Sequence, residues 1–87
     1  MDLDALLQHY FGTTDLDSLD DEQIDRGVQW LRIAFGTETE PGRRFAMWVV
    51  LHGLDEAPEP SVAFKDADER AAAEAYIRAM DEAERSE

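Results

Sequence analysis

The chain has no cysteine. That single absence excludes disulfides, thiolate metal sites and a cysteine nucleophile. Histidine is scarce too: His9 and His52 stand far apart, and neither has a second histidine one helical turn away. Cations are few, with eight Lys and Arg against 21 Asp and Glu, for a net charge of −13. So negative a chain repels nucleic acid and anionic lipid at long range, so direct nucleic-acid binding is not expected. Long hydrophobic runs are missing. The longest, "FAMWVVL" at 45–51, falls far short of the roughly 20 residues that span a bilayer, so no membrane association is expected. The start, "MDLDALLQHYFG", is acidic where a signal peptide is basic. The expected location is cytoplasmic.

What is present points to a folded protein. The 87 residues are 44% hydrophobic and include two Trp and four Phe, too much apolar material for a disordered chain. The length fits one small domain, expected over 1–83, with 84–87 as a frayed acidic tail. A domain of this size buries only about 60% of the surface that its unfolded chain exposes. With no disulfide to help, stability has to come from a well-packed helical core, a homodimer, or both.

Hydrophobic spacing predicts an all-α fold of four helices. The first covers Asp2 to Phe11, with Leu3, Leu6, Leu7, Tyr10 and Phe11 at helical intervals and Gly12 as its stop. In the second, Ser18 is the expected N-cap with Asp21 as reciprocal partner, and the helix runs to Phe35 with Gly36 ending it. Its core stripe is Ile24, Gly27, Val28, Leu31, Ala34 and Phe35. Pro41 suits the first position of the third helix, expected over about 41–52 with Gly53 as the stop. From Phe45 to Leu51 this helix is apolar in every direction, so it should be the central one, enclosed by the others. Pro58 and Pro60 keep the next stretch extended, with Val62 and Phe64 pinning it to the core. Asp66 caps the last helix, with Glu69 as its partner, and that helix runs to Glu82. Asp66, Arg70, Glu74, Arg78 and Glu82 form a ladder of alternating charge along it. Ala72, Ala73, Tyr76, Ile77, Met80 and Ala83 make the opposite, packing face.

The familiar chemistries lack their parts. "DLDSLDDEQIDR" begins like a calcium loop at Asp15 and Asp17 but places Leu19, Asp20 and Arg26 where an oxygen ligand, a glycine and a glutamate belong. No metal site, cofactor or catalytic residue is therefore assigned. The serines stand in a cap, a loop and the tail, none in a nucleophile elbow. "GTETEPG" has neither the residues nor the free amides of a phosphate loop.

Two features stand out. Arg43 and Arg44 lie in the first turn of the third helix, where a cation opposes the helix dipole. Either they pair with nearby acids such as Glu38 and Glu40, or they form an anion-binding clamp with the helix amides. Trp30 and Ile33 fall off the core stripe of the second helix, with Arg26 one turn before Trp30. Either another helix covers them, or they form an exposed partner-binding patch with an arginine rim. The expected protein is a small acidic helical interaction protein that binds a protein partner or itself through these residues. The alternatives are an acidic nucleic-acid mimic that inhibits a nucleic-acid-binding protein and, less in keeping with the residues, a small metal-dependent or acid–base enzyme.

Overall fold

A computed structural model describes residues 3–85. The fold is all-α, with no strand among the described residues. Four helices of nine residues or more and one single-turn helix follow one another along the chain. The described residues fall into two compact units, divided between Ala57 and Pro58.

The first unit holds α1 (Leu3–Phe11), a 3-10 turn at Leu16–Ser18, α2 (Asp21–Thr37) and α3 (Pro41–Gly53). The expected start of α1 at Asp2 lies outside the described residues. Gly12 ends α1 at φ +78°, a left-handed conformation that glycine adopts without strain. Its N–H bonds the Gln8 carbonyl at 3.0 Å.

The cap of α2 sits two residues later than the spacing predicts. Asp20, not Ser18, is the N-cap. The Asp20 carboxylate accepts the Gln23 N–H at 2.8 Å, and the Gln23 side chain accepts the Asp20 N–H at 2.9 Å. Gln23 reaches the cap backbone easily, whereas Asp21 opposite Ser18 is one methylene shorter than the usual Glu or Gln. Ser18 instead closes the preceding turn by donating its hydroxyl to the Asp15 carbonyl at 2.7 Å.

Gly36 does not stop α2. The helix runs on through Thr37, and the Glu38 N–H closes its last turn on the Ala34 carbonyl at 2.9 Å. Val28, Leu31 and Phe35 are buried along one face, as the stripe requires. Gly27 lies on the same face for a different reason: a Cβ there would collide with the Phe11 ring and come within 3.0 Å of the Tyr10 carbonyl. Glycine is what lets the end of α1 lie directly on α2.

α3 is apolar all round, and no residue from Arg44 to His52 is exposed. Trp48 and Leu51 are fully buried and Met47 nearly so. Trp48 also meets the rings of Phe45 and His52, at centroid distances of 6.0 and 5.3 Å. Gly53 is still helical. The reversal comes at Asp55, at φ 60°, where the Asp55 N–H bonds the His52 carbonyl and the Glu56 N–H bonds the Leu51 carbonyl. These two bonds are those of a Schellman ending, with aspartate in the place that glycine usually takes.

The second unit holds α4 (Pro60–Ala63) and α5 (Ala67–Arg85), which pack together. The expected extended strap is a helical turn instead. Pro60 begins it, and the Ala63 and Phe64 amides bond back to Glu59 and Pro60. Val62 and Phe64 share a face only at extended spacing. In a helical turn they diverge, so Phe64 is buried beside Ala63 while Val62 is 74% exposed. Asp66 caps α5 as predicted, accepting the Glu69 N–H at 3.0 Å. On the packing face Ala73 is buried and Tyr76 and Ile77 are half-buried, while Ala72, Met80 and Ala83 are exposed. α5 extends to Arg85, three residues past its expected end, so Glu84 and Arg85 are helical. The rest of the expected tail, Ser86 and Glu87, lies outside the described residues.

Candidate functional site

The two arginines of "EPGRR" are both engaged locally. Glu40 is the N-cap of α3: its carboxylate accepts the Gly42 N–H at 3.1 Å and the Arg43 N–H at 2.6 Å. Glu38 accepts the Thr39 and Glu40 amides at 3.1 and 3.2 Å and the Arg43 guanidinium at 3.1 Å. Amides that would welcome an incoming anion at this helix start thus hold the chain's own carboxylates. Both acids are held below the usual glutamate value. For Glu38 the main cause is the Glu40 N–H, followed by Arg43; for Glu40 it is the Arg43 N–H, followed by that of Gly42.

Arg44 does something that spacing alone does not reveal. It turns away from the amides of its own helix and donates to the Phe35 and Glu38 carbonyls at 2.6 and 3.2 Å. Its guanidinium also lies 4.1 Å from the centre of the Phe35 ring. A cation misplaced at the start of α3 is thereby well placed at the negative end of α2.

Trp30 and Ile33 are uncovered, at 65% and 68% exposure. Arg26 stands one turn before Trp30 and forms an exposed pair with Glu22 at 3.3 Å. Arg32, beside them, lies 3.7 Å from Glu56. The structure adds two residues that the sequence did not connect to this face. His9 and Tyr10, at the end of α1, line a hollow of about 260 Å³ together with Trp30. Their own rings meet edge to face at 4.7 Å. A second hollow of about 260 Å³ is lined by Gln29, Arg32 and Ile33. Both fall short of the roughly 300–1,000 Å³ typical of small-molecule sites. They are of a size to receive single side chains.

Elsewhere the geometry is less suggestive. His52 packs on Trp48 and is half-buried. Among the described residues no three His, Asp or Glu side chains gather as a metal would require. On α5, the Arg70 guanidinium bonds the Phe64 and Lys65 carbonyls, at 3.2 and 2.9 Å, instead of extending the charge ladder. No helix of the described residues is long and apolar enough to cross a membrane. No family model, curated protein or solved structure matches the chain.

Proposed function

We propose that the protein is an interaction module that binds a protein partner, or a second copy of itself, through the outer face of α2. The observation that carries this reading is the exposure of Trp30 and Ile33, a large aromatic and a β-branched aliphatic residue one turn apart on α2. Isolated exposed apolar residues are ordinary, but an aromatic beside an aliphatic with arginines on both sides has the composition of an interface centre. The paired charges of Arg26 with Glu22 and Arg32 with Glu56 suit a polar rim: each pair is exposed, contributes little to folding, and can exchange partners.

The two other readings have less support. A mimic of nucleic acid needs an unbroken line of carboxylates, and Arg70, Arg78 and Arg85 interrupt α5. An acid–base enzyme needs a carboxyl held above its usual value, whereas Glu38 and Glu40 are held below it.

Trp30→Ala tests the reading directly. Chemical unfolding of the variant should stay within about 0.5 kcal/mol of the parent protein. Self-association, followed by light scattering at two concentrations, or binding of a partner isolated on the parent protein, should be lost. A fall in stability of several kcal/mol would make Trp30 a core residue and end the proposal.

A further inference from the structure

The hollow between the end of α1 and Trp30 has features that select one kind of occupant. Its lining is aromatic: His9, Tyr10 and Trp30. The faces of the Tyr10 and Trp30 rings carry partial negative charge and attract cations, tryptophan most strongly. The hollow also lies at the C-terminal end of α1, which finishes at Phe11, and helix C-termini carry the negative end of the dipole. Charge along the chain adds a third feature. Residues 1–25, which include all of α1, hold eight carboxylates and no lysine or arginine. The two arginines of α2 that flank Trp30, Arg26 and Arg32, are already paired with Glu22 and Glu56.

We infer that this hollow receives a cationic side chain, lysine or arginine, from a basic segment of a partner protein. The inference rests on the docking role of the α2 face and names the chemistry of what docks there. A second copy of this chain is the poorer occupant, because it brings the same net charge of −13 and is repelled at long range. A basic segment is drawn in by that same field. Its cation sits over the Trp30 and Tyr10 rings, and an adjacent apolar residue covers Ile33.

The test is an NMR titration of the intact protein with N-acetyl-arginine amide and N-acetyl-lysine amide, against N-acetyl-norleucine amide as a neutral control of similar length. The protein has two tryptophans, and Trp48 is fully buried, so its indole signal serves as an internal reference. The cationic amides are expected to shift the Trp30 indole and Tyr10 ring signals saturably, with about two- to five-fold higher affinity than the neutral amide. That advantage should shrink as salt is raised. Trp30→Ala should remove the response, and Tyr10→Leu provides a second variant that keeps apolar bulk while losing the ring. Equal affinity for all three amides would overturn the cation inference and leave the apolar docking face standing. No shift with any amide would overturn it as well, and the Trp30→Ala association measurement then decides the docking role separately.

Discussion

Trp48 and Trp30 lie on neighbouring helices of the same unit and have opposite surroundings. α3 is apolar on every side, and from Arg44 to His52 each residue is buried or half-buried, with Trp48 at 0% exposure. α2 is two-faced: Val28, Leu31 and Phe35 are buried, while Trp30 and Ile33 stand in solvent. The difference follows from their sequences. Between Arg44 and His52, α3 carries no charged or amide side chain that would pull one face outward. α2 has Asp25, Arg26, Gln29 and Arg32 in that role, and Trp30 and Ile33 share their side of the helix. A single exposed apolar residue is ordinary, and it is the adjacency of Trp30 and Ile33 on one side of α2 that sets this face apart.

The largest effect is expected at Trp48. Trp48→Ala should lose about 3–5 kcal/mol, a large share of the roughly 5–15 kcal/mol that holds a small protein folded. Urea unfolding followed by circular dichroism at 25 °C should show that loss, and a variant within about 1 kcal/mol of the parent would show that Trp48 is not at the centre of the core. Next comes Gly27→Ala, at the crossing of α1 and α2. The added methyl must displace the Phe11 ring and crowd the Tyr10 carbonyl, at a net cost of about 1–3 kcal/mol in urea unfolding. The same change at Gly36 should act in the opposite direction. That residue is helical with open space where a Cβ would go, so Gly36→Ala should stabilise by about 0.5–1 kcal/mol. If it destabilises, the helix does stop at Gly36.

A smaller effect concerns pH. Glu38 and Glu40 have folded-state values below 4.5, so each binds its proton more weakly folded than unfolded. Their contribution is therefore complete above about pH 4.5 and is lost as pH falls through the lower, folded values. Relief of self-repulsion among the other acids acts in nearly the same way on the parent and on a Glu38→Gln, Glu40→Gln variant. The difference between their denaturation midpoints should therefore narrow as pH falls from 5 to 3. A constant difference would mean that the two carboxylates do not hold the helix start.

Much of the fold could be read from the residues, because its strongest signals are local. Apolar spacing identified all four long helices, and Asp66 and Pro41 begin theirs where the spacing predicts. The structure departs from the local pattern where two local signals compete. Asp20 with Gln23 outbid Ser18 with Asp21 as a cap, and Gly36 and Gly53 looked like stops when neither needed to turn left-handed. Val62 and Phe64 alternate as in a strand, across what is a helical turn. At the candidate site, Arg26, Trp30 and Ile33 could be picked out because they break the pattern of their own helix. His9 and Tyr10 join them only through the crossing at Gly27, and a contact between residues that far apart leaves no mark in local periodicity. Arg44 was visible as a cation in the wrong place, but not as the partner of the preceding helix.

The three-residue link between α2 and α3 has a bearing on the proposed docking role. Arg44 fastens the end of one helix, Glu40 fastens the start of the next, and Glu38 ties the two amides between them. A joint so fully stitched is a poor hinge. The outer face of α2 is then presented to whatever meets it in a shape already set, and little freedom is left to lose on contact. Slow amide exchange at Glu38, Thr39 and Glu40, in a stretch that would otherwise be an ordinary surface loop, would be the signature of that preorganisation.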